Sequence, residues 1–300
     1  DPYEDADEPQ GLGGIIYRVI KWARAPVPFR ITTTCGQEKS LPWIRNQEFE
    51  NPSGLFGVLG RMALEVLAFR SLFRNHRVEL LADKEKVNYI ADKMLWAAAM
   101  AFHWAMFIVI LRHFRFFVEP VPVWVDWIES ADGFLQIGLP VIFATTVLYV
   151  VGLAYLLARR FFDSKVRYIS LPTDYFALYL LLGIGLSGIL MRHLEKVDVV
   201  QVKAAIAGWA SLQMVAPVGV GLWYFVHVFL VSALLVYFPF SKLLHAPGVF
   251  MSPTRNLANT NRVRRHINPW NPDIQGHSYA EWEDEFRDKL KASGYALEKE

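Results

Sequence analysis

Two pairs of histidines fall in or beside stretches apolar enough to cross a bilayer. His103 and His113 lie in one such stretch, and His227 and His245 lie in and just beyond another. A histidine within hydrocarbon is costly unless ligation, pairing or a buried polar network satisfies it. Two histidines on each of two stretches therefore favour ligation of two stacked cofactors over isolated, hydrogen-bonded core residues.

The depth of each histidine predicts how the pairs meet. Ten residues of α-helix rise about 15 Å, so His103 and His113 lie at different levels in the membrane. If the helix that contains His227 continues past Pro239, His227 and His245 are about five full turns apart and share one face. An antiparallel arrangement then pairs His113 with His227. The same arrangement pairs His103 with His245.

The chemistry that this pattern predicts is electron transfer through histidine-ligated haem. Imidazole nitrogen is a strong axial ligand for haem iron, and two such ligands leave no open position for oxygen or substrate. His193, which ends a third apolar stretch, is the alternative to His245 as the fourth ligand. The single cysteine, Cys35, argues against an iron–sulfur cluster or a c-type haem bound by this chain alone.

Three arginines near the His113 end of the predicted bundle are candidates for contacts with haem propionates. They are Arg112, Arg115 and Arg192. A guanidinium group pairs well with a carboxylate in such a place. The alternative is that each arginine is an ordinary residue of the membrane interface.

The composition predicts an all-α integral membrane protein. Of 300 residues, 53% are hydrophobic and only 20% are charged, which is too apolar for an ordinary soluble domain. Four windows have the length of a membrane-spanning helix. They cover residues 95–118, 134–158, 175–191 and 218–238. We expect these four helices to form a bundle.

The charges between the windows predict the orientation. Basic residues follow the second and fourth windows, whereas the connection 119–132 contains four acidic residues and no Lys or Arg. By the positive-inside rule, the segment before Leu95, the loop after Ala158 and the C-terminal tail are cytoplasmic. The basic residues concerned are Arg159, Arg160, Lys165, Arg167, Lys242, Arg255, Arg262, Arg264 and Arg265.

Four segments follow from these patterns. Residues 1–24 are an acidic leader and a stub, which is either the end of a membrane helix or an interfacial helix. Residues 25–94 are a cytoplasmic, partner-facing segment in which 55–73 is a cytoplasmic or interfacial helix. Residues 95–245 are the transmembrane di-haem domain. Residues 246–300 are a tail with a short amphipathic helix over 278–292.

Several sequence motifs resemble a known family. Residues 102–103 and 112–117, with His227 and residues 237–245, resemble the haem-binding helices of the NarI-like gamma subunit of respiratory nitrate reductase. Residues 21–29, 34–43, 51–52, 61–62 and 69–75 resemble DsrM, the membrane cytochrome b family of the dissimilatory sulfite reduction (DsrMKJOP) complex. The resemblance implies a five-helix bundle with two b haems, whose four ligand positions match His103, His113, His227 and His245. The stub ending at Trp22 represents the family's first helix.

The same resemblance implies partners. Electrons would pass between menaquinone and a cytoplasmic DsrK-like iron–sulfur subunit, related to heterodisulfide reductase, which acts on the DsrC trisulfide. A DsrJ-like multihaem cytochrome, a DsrO-like ferredoxin and a DsrP-like membrane subunit would complete the complex. Quinone and membrane lipid are the other expected partners, and we expect no nucleic acid.

A quinone site needs a proton-accepting group near a haem edge. Glu119, Arg115 and Glu195 are the candidates, and each is otherwise an interfacial charge. On this interpretation the chain is a subunit of an oxidoreductase and is not catalytic alone, except in quinol oxidation or quinone reduction. Two alternatives stay open, which are a haem-free proton-conducting or transport subunit and a membrane anchor for a cytoplasmic partner.

Overall fold

The computed structural model describes residues 11–25, 47, 49–81, 85–135, 140–213, 216–258 and 276–298. The acidic leader, Cys35, the motif 34–43 and the basic residues Arg262, Arg264 and Arg265 lie outside these ranges. In chain order the first elements are α1 (Gly11–Ala23), α2 (Leu55–Ala68), α3 (Arg70–Phe73), β1 (His76–Leu81), β2 (Lys86–Ala91), α4 (Lys93–His113) and α5 (Val123–Asp132). They are followed by β3 (Gly133–Leu135), β4 (Ile142–Phe143), α6 (Ala144–Phe162), α7 (Ser164–Ile169), α8 (Pro172–His193), α9 (Val199–Ala210), α10 (Leu222–Tyr237), α11 (His245–Gly248), α12 (Pro253–Asn256) and α13 (Tyr279–Ala292).

Four helices in the described part of the chain are long and apolar enough to cross a membrane. They cover Lys93–Phe116, Ala144–Phe162, Pro172–His193 and Leu222–Phe240, where the first and last include short 3₁₀ extensions. The four predicted spans are therefore confirmed. The second span begins ten residues later than predicted, because β3 and β4 form a short antiparallel pair ahead of it.

The four spans pack in series. α4 packs on α6, α6 on α8, and α8 on α10, whereas α4 and α10 make little close backbone contact among the described residues. The buried core lies at the α4–α6–α8 junction and consists of Phe102, Ala105, Tyr149, Leu153 and Leu181. The two histidine-bearing helices are therefore held on either side of a gap and not against each other.

Gly152 sets the distance between α4 and α6. A Cβ atom at this position would lie 3.0 Å from the carbonyl oxygen of Ala98 and 3.0 Å from the Cβ of Phe102. These are atoms of the α4 backbone or attached directly to it, so they cannot move aside as the end of a flexible side chain can.

We expect Gly152→Ala to lower the free energy of unfolding by about 1–3 kcal/mol, because the added methyl group pushes α4 away from α6. Thermal unfolding of the purified protein in detergent measures this loss. Gly183→Ala is the matched control, since its Cβ would meet only a side-chain methyl group of Leu230, at 3.3 Å. Equal stability of Gly152→Ala and the wild type would show that Gly152 does not set the distance between α4 and α6.

In α2 the charged and apolar side chains are distributed in the reverse of the way that is usual for a surface helix. Its charged residues Arg61 and Glu65 are buried, while Leu55, Phe56 and Leu59 are exposed. Such an arrangement is expected where the outer face of a helix contacts lipid and not water. It is compatible with the interfacial alternative for this helix.

The predicted helix 55–73 is interrupted at one residue. Phe69 has a left-handed backbone, with φ 48° and ψ 49°, and separates α2 from α3. A non-glycine residue in this region is uncommon and is held there by its surroundings. The prediction of one continuous helix was therefore wrong, since the break depends on contacts that Phe69 makes with α4.

Glu50 ties the loop before α2 to α3. Its carboxylate accepts a hydrogen bond from Arg70 Nη1 at 2.8 Å and is also bound by Arg74. Burial acts to raise the pKa of Glu50, but the hydrogen bond from Arg70 and the charges of Arg70, Arg74 and Arg61 together hold that pKa below its usual value. The ion pairs of Glu50 with Arg70 and Arg74 therefore stabilise the fold at neutral pH. This contribution is lost as the pH falls through the lowered pKa of Glu50.

The remaining elements include several that the sequence patterns did not predict. β1 and β2 form an antiparallel hairpin with His76 opposite Ala91 and Leu81 opposite Lys86. α5 and α9 lie in the connections between the spans. The predicted tail helix is α13, which begins after Ser278, whose hydroxyl accepts a hydrogen bond from the N–H of Glu281.

Candidate functional site

His113 and His227 face each other across the gap between α4 and α10. Their ring centroids are 6.4 Å apart and the ring planes differ by 13°. His113 is the last residue of α4, and His227 lies in the second turn of α10. Two nearly parallel imidazoles from separate spans are therefore brought to the same level of the bundle.

His103 and His245 form a second facing pair. Their ring centroids are 5.9 Å apart and the planes are at 79°. His245 reaches this place by an irregular path and not on a continuous helix. α10 ends at Tyr237, a 3₁₀ turn covers Phe238–Phe240, and Ser241 is extended. The condition that this helix continues past Pro239 to His245 is therefore not met, since a proline inside a helix removes a hydrogen bond and clashes with the preceding turn.

Each of the four histidines uses its Nδ1 atom in a hydrogen bond with a backbone carbonyl. The partners are Ala99 O for His103 at 2.7 Å, Val109 O for His113 at 2.7 Å, Ile184 O for His227 at 3.1 Å and Lys242 O for His245 at 2.8 Å. A carbonyl can only accept, so Nδ1 carries the proton in each ring. The other nitrogen, Nε2, is then unprotonated and able to bind a metal.

The ring distances can be compared with those of bis-imidazole iron. Two imidazoles that bind one iron from opposite sides, each through a bond of about 2 Å, have ring centres about 6.4 Å apart. The observed separations are 6.4 Å and 5.9 Å. Two donors per site are too few for a bare metal ion, but a porphyrin supplies the other four nitrogens. The residues present therefore fit two haem groups.

The corner between α2 and α3 packs on His103. The Phe69 ring meets the His103 ring edge-on with centroids 5.0 Å apart. Two indole N–H groups of α4 hold the corner, since Trp104 Nε1 donates to Leu67 O at 3.0 Å and Trp96 Nε1 donates to Ala68 O at 2.8 Å. These bonds fix the two residues that precede Phe69, and the Phe69 ring restricts the rotation of His103.

The three predicted arginines lie together at the end of the bundle that contains His113, which we call the His113 end. Arg112 Nη2 donates to Thr145 Oγ1 at 3.1 Å, and its Nε lies 3.4 Å from Asp132. Arg115 Nη1 lies 2.6 Å from each carboxylate oxygen of Glu129. Arg192 Nη2 donates to Val141 O at 3.3 Å. All three have protein partners, and their contacts with propionates stay a prediction.

Comparison with known proteins connects this arrangement to a family. The family model of the nitrate reductase gamma subunit matches residues 53–266. The chain belongs to the nitrate reductase gamma subunit family. The family resemblance inferred from the histidine motifs is therefore confirmed. As a member of this family with four apolar spans, the chain is a multi-pass membrane protein and a membrane electron-transfer subunit.

Relatives in this family carry informative names. The chain is 41% identical over 266 residues to the Hdr-like menaquinol oxidoreductase cytochrome b-like subunit of Archaeoglobus fulgidus, covering 86% of this chain and 79% of the relative. It is 39% identical over 267 residues to the protein of the same name from Archaeoglobus profundus, covering 87% and 79%. It is 24% identical over 223 residues to the nitrate reductase gamma chain of Bacillus subtilis, covering 70% and 96%.

The match to the gamma subunit family begins just before α2, well after the stub. α1 therefore precedes the part of the chain that the family model describes, whereas α2 with its exposed apolar face lies inside it. The idea that the stub ending at Trp22 represents the family's first helix stays a prediction.

The alternative fourth ligand, His193, lies at the His113 end of the bundle. His193 ends α8 next to Arg192, whose guanidinium lies 4.5 Å from the centre of the Phe143 ring. Arg112, the neighbour of His113, lies 3.7 Å from the centre of the same ring. His193 is therefore at the His113 end, whereas the ring that faces His103 is that of His245.

All three quinone candidates have structural partners. Glu119 pairs with Lys203 of α9. Glu195 accepts a hydrogen bond from the N–H of Trp223 at 3.1 Å, and its carboxylate fills the space where a Cβ of Gly221 would lie. It thereby satisfies a free N–H group at the start of α10, where a negative charge is favourable.

A cavity of about 310 Å³ opens beside the third candidate, Arg115. Its lining includes Glu129, the partner of Arg115, together with Asp126, Ser130, Val141, Phe143 and Arg192. The sequence patterns did not single out Glu129 as a functional residue. The sequence feature that could have identified Glu129 is its place in the acidic connection after the first span.

Proposed function

We propose that this chain is a di-haem cytochrome b subunit that passes electrons between menaquinone and an iron–sulfur partner. The observation that carries the proposal is the presence of two facing histidine pairs, each with a ring separation suited to one iron and each with Nε2 free. His113 and His227 would ligate one haem. His103 and His245 would ligate the other.

Each haem, when bound, would supply one-electron redox chemistry with both axial positions filled. The protein's own contribution is to hold the rings. The four Nδ1 hydrogen bonds fix the tautomer, and Phe69 and Phe102 pack edge-on against His103 with centroids 5.0 and 4.7 Å away.

The charges support an orientation for the two sites. Arg159 and Arg160 end α6 at the opposite end of the bundle from His113, and Lys165 and Arg167 follow in α7. By the positive-inside rule, this end faces the cytoplasm. We therefore call His103 and His245 the inner pair, and His113 and His227 the outer pair.

The proposed electron donor or acceptor at the outer side is menaquinone. The two Archaeoglobus relatives are named menaquinol oxidoreductase subunits, which supports a quinone reaction. The cavity beside Arg115 lies at the outer end and offers a carboxylate, Glu129, and a guanidinium, Arg192. These groups are suited to accept a proton from a quinol hydroxyl and to donate a hydrogen bond to its oxygen.

The proposed partner on the inner side is a DsrK-like iron–sulfur subunit acting on the DsrC trisulfide. The names of the relatives describe them as Hdr-like, which supports a heterodisulfide-reductase-like partner. The motif 69–75, which suggested the sulfite reduction branch, forms α3 and its flanks beside the inner pair. The DsrJ-, DsrO- and DsrP-like subunits are proposed on the same resemblance.

A reduced-minus-oxidised optical spectrum of the purified chain tests the haem proposal directly. We expect a b-type α-band and, by pyridine haemochrome assay, two haem groups per chain, one for each histidine pair. Absence of a b-type band would remove the proposal and would favour the haem-free relay. A stoichiometry of one haem group per chain would contradict the proposal for one of the two histidine pairs.

A further inference from the structure

His227 differs from the other three histidines in how its Nδ1 atom is held. The partners of His103, His113 and His245 are carbonyls three or four residues earlier in the same segment. The partners of His227 are on another helix, α8. They are the carbonyl of Ile184 at 3.1 Å and the hydroxyl of Ser187 at 3.0 Å.

The hydroxyl of Ser187 has a defined direction. Ser187 is 2% exposed, and its Oγ donates to Ile184 O at 3.0 Å. Because that bond uses the only proton of the hydroxyl, the oxygen presents lone pairs to the Nδ1–H of His227. The N–H is therefore shared between two acceptors, both fixed on α8.

The backbone of α8 lies beside the His227 ring at Gly188, the residue that follows Ser187. A Cβ on Gly188 would lie 3.4 Å from Cε1 and 3.6 Å from Nδ1 of His227. The edge of the imidazole that carries Nδ1 thus lies directly on α8. The ring plane of His227 is set by this helix as well as by its own.

We propose that Ser187 is a positioning residue that fixes the orientation of His227 and lowers the redox potential of the outer haem relative to the state without this hydrogen bond. A second acceptor on Nδ1–H increases the basicity of Nε2 and strengthens its bond to oxidised iron. Among the described residues, neither His103 nor His245 has a comparable contact with a serine. The effect on the redox potential is therefore confined to the outer site. This inference rests on the proposed function.

The test is a spectroscopic redox titration of Ser187→Ala in the purified protein. We expect the outer haem to become easier to reduce, with a roughly threefold change in its redox equilibrium, or about 28 mV at 59 mV per tenfold change for one electron. The inner haem should keep its midpoint potential. The low-spin ferric EPR signal of the outer haem should also change, because it depends on the relative orientation of the two rings.

Two further variants keep the result interpretable. Ser187→Thr retains the hydroxyl and should restore the wild-type potential and EPR signal. Ser211→Ala removes a hydroxyl that likewise donates to a carbonyl of its own helix, Ala207 O at 3.0 Å, and should leave both haems unchanged. If Ser187→Ala loses the outer haem altogether, retention of that haem with its wild-type potential in Ser187→Thr supports the proposal.

Several results would overturn the inference without affecting the proposed function. These are unchanged potentials in Ser187→Ala, an equal shift of both haems, or failure of Ser187→Thr to restore the outer site. A wild-type protein without a b-type spectrum would instead refute the proposed function. The two failures are therefore distinguishable in one set of samples.

Discussion

Replacing either His113 or His227 with alanine is expected to abolish one and the same haem component. The two rings face each other at 6.4 Å, so in the proposed function each would supply one of the two axial ligands to a single iron. Replacing His103 or His245 should abolish the other component for the same reason. The haemochrome assay should fall from two haem groups per chain to one in all four variants, and a redox titration identifies which component is lost.

Controls come from histidines that lie outside the two facing pairs. His76 lies in β1 and His277 lies before α13, so His76→Ala and His277→Ala should keep both haem components. Loss of different components in His113→Ala and His227→Ala would contradict the pairing. Retention of both components in His245→Ala, together with loss of one in His193→Ala, would transfer the fourth ligand to His193.

Removing the carboxylate of Asp132 is expected to produce the largest loss of stability among single substitutions outside the histidine pairs. Asp132 lies 3.4 Å from Arg112 Nε, accepts a hydrogen bond from Thr145 N at 2.9 Å, and its side chain is only 6% exposed. Asp132→Ala leaves a buried guanidinium without its counter-charge, which costs about 3–5 kcal/mol. Thermal unfolding in detergent, followed by the loss of helical signal, measures the effect.

A double substitution separates the ion pair from the packing. Arg112→Met combined with Asp132→Leu removes both charges and should recover most of the stability lost in Asp132→Ala. Asp126→Ala on the exposed face of α5 is the matched single control and should change stability by no more than about 0.5 kcal/mol. If Asp132→Ala and Asp126→Ala behave alike, the buried pair does not stabilise the junction of α4, α5 and α6.

The ion pair also bears on the predicted role of the arginines. Arg112 is bound by Asp132 and Thr145 and stacks on Phe143, so its charge is already balanced by the protein. Arg115 is balanced by Glu129 in the same way. A propionate contact would have to share these arginines with their present partners, whereas the structural role requires no further group.

The inner pair is coupled to a segment far from it in sequence. Phe69 reaches the ring of His103 because its left-handed backbone turns the chain between α2 and α3, and two tryptophans of α4 secure that turn. A partner that binds α3 would therefore act on a residue in direct contact with His103, a proposed haem ligand. We propose that electrons enter or leave on the inner side beside α3.

The sequence by itself determined the four spans, because hydrocarbon thickness demands about twenty apolar residues whatever the neighbours are. It also predicted that His103 and His113 lie at different levels, because the rise of a helix converts residue spacing into depth. The resemblance of the histidine motifs to the gamma subunit family is confirmed by the family match. Ligation of iron by these histidines remains a prediction.

Only the tertiary structure decided how the rings are held. A local pattern gives the direction of a side chain relative to its own helix, but not the rotation and offset of that helix against others. His245 meets His103 although its helix is broken at Pro239, and Ser187 meets His227 from a different span. The left-handed turn at Phe69 depends likewise on contacts with α4. These features arise from contacts between residues distant in sequence, which no single segment specifies.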